Sequence, residues 1–106
     1  MRLLFDQGTP APLRNYLPGH AVETAFERGW GKLSNGELLA HAEAEGFDAI
    51  VTTDQNLRYQ QNLSGRRIGV VVLMTTSWPR IRGHVESIVR AVDTLRAGGY
   101  EEVAFP

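Results

Sequence analysis

The sequence predicts an α/β domain, a three-layer α/β/α sandwich built on a mainly parallel sheet, and three observations support this fold class. Short apolar segments typical of strands alternate with segments typical of helices along the 106 residues. The apolar run Ile68–Met74 is almost uninterrupted, as in a strand that is covered on both faces. Trp78–Leu95 has the period of an amphipathic helix. This alternation also predicts right-handed crossovers between the strands.

The first segments of the chain are predicted to form a strand, a helix and a second strand. Arg2–Phe5 is a short apolar strand that ends at Asp6. Thr9-Pro10 has the pattern of an N-cap residue followed by proline, so a helix is expected over Pro12–Leu17. Ala21–Phe26 alternates small or apolar residues with polar ones, which favours a second strand.

A capping box predicts where the second helix begins. In Ser34-Asn35-Gly36-Glu37, the serine hydroxyl and the glutamate carboxylate can satisfy the free amides of the first turn. Leucine and alanine residues then provide an apolar side until Gly46. A helix is therefore expected over about residues 35–45.

The second half of the chain repeats the strand and helix alternation. Ala49–Thr53 is rich in β-branched residues, and the segment after Asp54 loses the period of two, which favours a turn and a helix. Ile68–Met74 is predicted to be the central strand. One long helix is expected from Trp78 to the Gly98-Gly99 pair, followed by an edge strand within Tyr100–Phe105.

Length and composition exclude several classes of protein. The chain is long enough for one hydrophobic core, so residues 1–106 are expected to form a single domain. The absence of cysteine excludes disulfides, cysteine-bound metals and thiol nucleophiles. No apolar run approaches the roughly 20 residues of a membrane span, and a cytoplasmic protein is expected. The formal net charge of −1 means that binding to nucleic acid would require a local basic patch.

Three carboxylates are expected to meet at one edge of the predicted sheet. Asp6 follows the first strand, Asp54 follows the third, and Glu37 lies in the first turn of a helix on the same side. Ligands of open parallel sheets bind outside the carboxyl ends of the strands. Two like charges about 4 Å apart repel by roughly 4 kcal/mol at an effective dielectric constant near 20, so such a cluster needs a cation.

Mg²⁺ or Mn²⁺ is the cofactor that this cluster predicts. Such ions are held by one or two carboxylates, keep several waters and complete their coordination with substrate phosphates. A site of this kind would polarise a phosphodiester and activate a water molecule for attack. Hydrolysis of a phosphodiester, with Asp6, Glu37 and Asp54 as the metal ligands and catalytic carboxylates, is therefore the predicted chemistry.

Most of residues 1 to 75 resembles the small PIN-like proteins, a branch of the PIN nuclease superfamily that includes the toxin ribonucleases of toxin–antitoxin pairs. The resemblance is carried by three strings that stand in order along the chain: LLFDQGTP, SNGELL and VTTDQN. It implies a PIN-like fold, endoribonuclease activity, an antitoxin-like partner protein and a homodimer. Matched position by position, the metal-binding carboxylates of the family correspond to Asp6, Glu37 and Asp54.

The chain departs from the PIN-like pattern at three positions. Asn35 and Asn56 stand where the family commonly has aspartate, and Gly8 stands where asparagine is usual. An amide binds a divalent ion more weakly than a carboxylate does. We expect Asn56 to assist catalysis and Asn35 to help position a bound water or phosphate.

Three arginines are the predicted contacts for an RNA backbone. Arg58, Arg66 and Arg67 lie in the segment between the third and fourth predicted strands. Guanidinium groups are suited to binding phosphate. Each arginine is also explained by an ordinary solvent-exposed position.

Each predicted metal ligand has an alternative structural role. Asp6 precedes a Gly-Thr-Pro turn and can bond to the backbone of that turn. Glu37 completes the capping box, and Asp54 can cap the helix that follows it. The alternative function is a catalytically weak or silent PIN-like binding module, which the two amides Asn35 and Asn56 favour.

A receiver-like phosphoacceptor domain is a further alternative. Asp6 and Asp54 follow the first and third predicted strands, and Thr75 or Thr76 follows the fourth. The chain has no adjacent acidic pair after the first strand and no lysine after the last one. The nuclease therefore remains the first prediction.

Overall fold

The computed structural model describes residues 1–106, which form five strands, four α-helices and one 3-10 helix. The strands are β1 (Arg2–Phe5), β2 (Ala21–Thr24), β3 (Ala49–Thr52), β4 (Gly69–Leu73) and β5 (Tyr100–Val103). The 3-10 helix spans Ala11–Tyr16, and the α-helices are α1 (Asn35–Ala44), α2 (Leu57–Gln60), α3 (Trp78–Gly83) and α4 (Val85–Thr94). The predicted alternation of strands and helices is confirmed.

All five strands are parallel and lie in the order β2-β1-β3-β4-β5. β3 is therefore the central strand, and the prediction that β4 holds this position is wrong. β4 is buried at every residue although it is next to the edge strand β5. An uninterrupted apolar run indicates that helices cover both faces of the strand. It does not indicate where in the sheet the strand lies.

Two hydrophobic cores flank the sheet and make the architecture three-layered. One face packs against the 3-10 helix, α3 and α4, through residues such as Leu13, Ile81 and Ile88. The other face packs against α1 and α2, through Leu39 and Leu57 among others. Because alternate residues of a strand point to opposite faces, β1, β3 and β4 contribute to both cores. The predicted α/β sandwich with a parallel sheet is confirmed at this level.

The connections between the strands do not all have the same hand. The β1–β2 and β4–β5 connections cross the same face of the sheet but run in opposite directions along it, so their hands are opposite. The β2–β3 and β3–β4 connections cross the other face of the sheet and have the same hand as the β1–β2 connection. The prediction of uniformly right-handed crossovers is therefore wrong.

The predicted long helix after Trp78 is two helices. α3 ends at Gly83, and His84 has φ −131° and ψ 29°, which breaks the helical path before α4. Ser77 caps α3 by accepting a hydrogen bond from the Arg80 amide. The apolar period continues across the break because both helices turn their apolar residues into the same core. The sequence pattern therefore does not reveal the interruption.

None of the helices combines the length and the apolar composition that a membrane span requires.

Gly98 has a conformation and a position that only glycine accepts. Its φ is +71°, and a Cβ atom would lie 2.6 Å from the Arg66 carbonyl oxygen. Its amide donates a hydrogen bond to the Arg67 carbonyl at 2.7 Å, which holds the turn before β5 against the segment that leads into β4. Gly65 also has a positive φ of +80°, but a Cβ there would meet no atom within 4 Å.

We expect Gly98→Ala to destabilise the domain more than Gly65→Ala does. Left-handed strain alone costs about 1–2 kcal/mol, whereas Gly98→Ala adds a steric collision and should cost about 2–4 kcal/mol in total. Urea denaturation of the two variants and of the wild type measures both losses. Equal losses would contradict the close approach to Arg66.

Candidate functional site

Asp6 and Asp54 lie at the point where the strand order of the sheet reverses. β1 and β3 are neighbours, but the chain leaves β1 toward one edge of the sheet and leaves β3 toward the other. In doubly wound sheets of this order, ligands bind in the crevice that opens between such strands. Asp6 directly follows β1, and Asp54 is the second residue after β3. The two carboxylates are therefore at the crevice, as the sequence predicts for this pair.

A buried threonine hydroxyl links the two aspartates. Thr52 Oγ1 donates a hydrogen bond to Asp6 Oδ2 and accepts one from the Asp54 amide at 3.0 Å. On the other side of Asp6, Thr9 Oγ1 lies 2.6 Å from Asp6 Oδ1 and 2.8 Å from the Val51 carbonyl oxygen. Sequence reasoning missed both threonines as site residues. Thr9 was expected to be an N-cap, but Pro10 holds that position and the Thr9 side chain turns toward Asp6.

Burial and hydrogen bonds act in opposite directions on the pKa of Asp6. Burial raises this pKa above its ordinary value, while hydrogen bonds from Thr52 and Thr9 oppose that rise. The Thr9 hydroxyl has one hydrogen, which it can donate either to Asp6 Oδ1 or to the Val51 carbonyl oxygen. A cation at this position requires the ionised form of Asp6, so the raised pKa opposes its binding.

Asparagine residues hold the carboxylate of Asp54. Asn35 Nδ2 donates to Asp54 Oδ2 at 2.7 Å, and the Asn56 amide donates to Asp54 Oδ1 at 2.9 Å. Asp54 therefore does not cap α2 directly, and Asn56 occupies the N-cap position without a side-chain cap bond. The Asn56 side chain is exposed next to Asp54. Both predicted asparagines are thus brought to the site.

Glu37 does not join Asp6 and Asp54. Its Oε1 accepts a hydrogen bond from the Ser34 amide at 3.0 Å, and Ser34 Oγ accepts from the Glu37 amide at 3.3 Å. These bonds form the predicted capping box. Hydrogen bonding with Ser34, above all with its backbone amide, lowers the pKa of Glu37. No group of three histidine, cysteine or acidic side chains is close enough to hold a metal ion. The expected trio is therefore a pair, because Glu37 folds back over the first turn of α1.

The three predicted arginine contacts are not assembled at the crevice. Arg58 donates to the Tyr59 hydroxyl at 2.7 Å and lies 3.6 Å from Glu102. Arg66 forms an ion pair with Glu43 at 3.3 Å. Arg66 and Arg67 precede β4, so they lie at the amino edge of the parallel sheet, whereas the aspartates lie at the carboxyl edge. Arg66 and Arg67 therefore do not face the aspartate pair, and the Arg58 guanidinium contacts Tyr59 and Glu102.

An open groove of about 690 Å³ lies beside Asp6, and sequence reasoning did not predict it. Its lining comes from the 3-10 helix and from the turns after β1 and β2, and it includes Gln7, Asn15 and Phe26. Arg14 and Glu27 form an ion pair across this lining with contacts of 2.6 and 3.2 Å. The only available sequence signal is that these residues follow the first two strands of a parallel sheet.

Comparisons with family models, with curated proteins and with solved structures found no match to this chain. We therefore infer function from the donor groups of the crevice. Two carboxylates, hydroxyls and amides are hard oxygen and nitrogen groups, and Mg²⁺ is commonly held by one or two carboxylates plus waters and substrate phosphates. Asp6 and Asp54 supply that number of carboxylates without Glu37.

We expect the stability of the wild type, relative to Asp6→Asn, to fall as pH rises. The pKa of Asp6 is higher in the folded than in the unfolded state, so the folded protein holds more protons from about pH 4 up to that raised value. The asparagine amide resembles the neutral carboxyl because it can donate to Thr9. Urea denaturation across this pH range measures the difference. Asp48→Asn, which removes an exposed carboxylate before β3, is the control, and parallel curves for wild type and Asp6→Asn would contradict the prediction.

Glu37→Gln is expected to leave the fold and the aspartate pair intact. Glutamine preserves a capping box, whereas Glu37→Ala should cost about 0.3–1.5 kcal/mol by removing it. Thermal denaturation with and without Mn²⁺ tests both variants. Loss of a Mn²⁺ effect in Glu37→Gln would mean that the Glu37 carboxylate reaches the crevice.

Proposed function

We propose that this chain is a PIN-like, Mg²⁺- or Mn²⁺-dependent endoribonuclease whose reaction centre is the pair of Asp6 and Asp54. The observation that carries this proposal is that the two aspartates follow neighbouring strands at the switch point and are linked through Thr52, whose hydroxyl donates to the Asp6 carboxylate and accepts from the Asp54 backbone amide. The resemblance of the strings around both aspartates to the PIN-like pattern also supports it.

The proposed reaction is hydrolysis of an RNA phosphodiester. A bound divalent ion would polarise the phosphate and lower the pKa of the attacking water. Asn35 and the Asn56 amide hold the Asp54 carboxylate in one orientation, so little order has to be gained when it binds a ligand. The exposed amide side chain of Asn56 is within the same turn and can donate a hydrogen bond to a phosphate oxygen.

Asp6 gives this proposed site a pH dependence. Its carboxyl must lose its proton before it can bind a cation, and the raised pKa makes that loss more costly than for an exposed aspartate. Cation binding should therefore strengthen as pH rises, until Asp6 is fully ionised.

The partners in this proposal are RNA, an antitoxin-like protein and a second copy of the chain in a homodimer. The sequence resemblance alone supports the antitoxin-like protein and the dimer. The open groove beside Asp6 supports a polymeric substrate, because it continues the crevice along the sheet edge.

A catalytically silent binding module is the second candidate. The specific observation in its favour is that each predicted metal ligand already has a structural partner: Asp6 contacts two threonines, Asp54 contacts Asn35, and Glu37 caps α1. A receiver-like phosphoacceptor is favoured by the strand order, which receivers share. The absence of an adjacent acidic pair after β1 counts against it.

Titration with Mn²⁺ followed by an RNA cleavage assay tests the nuclease. We expect Mn²⁺ to raise the melting temperature, because a ligand at about 100 times its Kd adds about 2.7 kcal/mol to the folded state. Asp54→Asn should abolish both this shift and the cleavage of RNA, whereas Asp48→Asn, at the opposite edge of the sheet, should retain both.

The other outcomes identify the other candidates. RNA binding without cleavage at saturating Mn²⁺ would support the binding module. Labelling of Asp54 by acetyl phosphate would support the receiver-like domain. The absence of a Mn²⁺ shift in the wild type would reject the metal site.

A further inference from the structure

Phe26 is a large aromatic residue that the fold leaves in solvent next to the aspartate crevice. Its exposed fraction is 77%, against 72% for Tyr59 and 39% for Tyr16, the other exposed aromatic residues. Phe26 and Asp6 line the same groove. The Ala25 amide donates to the Phe5 carbonyl at 2.8 Å, so Phe26 and Asp6 each follow a residue of this pair at the ends of neighbouring strands.

The turn that carries Phe26 is held on both sides by hydrogen bonds. The Thr24 amide donates to Glu27 Oε1 at 2.9 Å, and the Glu27 amide donates to Thr24 Oγ1 at 3.0 Å. The Arg14 guanidinium fixes Glu27 with two further bonds, and the Gly29 amide donates to the Phe26 carbonyl at 3.0 Å. The exposure of Phe26 therefore belongs to an ordered turn.

Tyr59, the other highly exposed aromatic residue, has an intramolecular role. Arg58 donates to its hydroxyl at 2.7 Å, and the guanidinium carbon lies 4.7 Å from its ring centroid. Phe26 forms no aromatic pair and no cation–π contact within the chain. Its ring is thus available to a ligand.

We propose that Phe26 stacks on a nucleobase of the RNA that occupies the groove, one position away from the phosphate at Asp6 and Asp54. This inference rests on the proposed function. Seven of the ten residues that line the groove are polar or charged, among them Asp6, Arg14 and Glu27, whereas the centre of a protein interface is depleted in charged residues. A flat base with polar edges matches one exposed ring among hydrogen-bonding groups, and aromatic stacking is a sequence-tolerant way to hold a single strand.

The test measures binding of a fluorescent single-stranded RNA oligonucleotide by anisotropy in Mn²⁺, with phosphorothioate linkages that resist hydrolysis, so that the cation at the carboxylates is kept and the strand stays intact. Phe26→Leu should bind roughly 5- to 100-fold more weakly than the wild type, the range expected for loss of one stacked base. Phe26→Tyr should restore binding because it keeps the ring, and Tyr59→Leu is the matched control that should bind as the wild type does.

A series of oligonucleotides with one abasic position each locates the stacked base. In the wild type, one abasic position should weaken binding by a similar factor, and in Phe26→Leu the same position should have no further effect. Equal binding by wild type and Phe26→Leu, or no binding of RNA by the wild type, would overturn the proposal. A change of molar mass in Phe26→Leu by light scattering would also overturn it, because Phe26 would then be an interface residue.

Failure of this inference can be separated from failure of the nuclease. Cleavage of RNA with unchanged affinity in Phe26→Leu rejects the stacking role and leaves the nuclease in place. Binding that depends on Phe26 without any cleavage in Mn²⁺ supports the stacking role and rejects the nuclease.

Discussion

The parallel pairing of β1 with β3 is the constraint on which the candidate site depends. Leu3, Leu4 and Phe5 pair in register with Ala49, Ile50 and Val51, and all six side chains are buried. This pairing puts the two strands that leave the sheet in opposite directions next to each other. The ends of the strands then deliver Asp6 and Thr52 to one position, where their side chains bond. The crevice is a consequence of the topology, and the packed apolar strands hold its walls in place.

The position of Asp6 at this crevice partly buries its carboxyl group. Asp6 is held by two threonine hydroxyls, Thr9 and Thr52, both of which are themselves buried. Such bonds lower the cost of the charge but do not remove it, and an additional cation or a proton satisfies the group better than hydroxyls alone. Asp54 is oriented by amide donors. The two carboxylates are therefore held by different kinds of group, hydroxyls for Asp6 and amides for Asp54.

Glu37 illustrates how a local interaction can remove a residue from a site. The carboxylate of a capping box bonds to a backbone amide three residues away, and such a bond forms with the helix itself. Recruitment to the crevice would require Glu37 to give up this bond. Phe26 is the opposite case, in which local hydrogen bonds keep a residue at the site. The bonds between Thr24 and Glu27 hold the turn that exposes the Phe26 side chain to solvent beside the groove.

The sequence by itself determined the fold class, the approximate extent of every strand, the capping box at Ser34 and the presence of Asp6 and Asp54 at one edge of the sheet. These features follow from local patterns, since apolar periods and turn residues act over a few positions. Only the tertiary structure decided that Glu37 stays on α1, that Arg66 and Arg67 lie at the far edge, that α3 and α4 are separate helices, and that Thr9 and Thr52 hold Asp6. Each of these depends on competition between a local partner and a distant one, or on which strands become neighbours. The physical reason is that side-chain hydrogen bonds are chosen among groups that folding brings together, and one-dimensional spacing does not contain that choice.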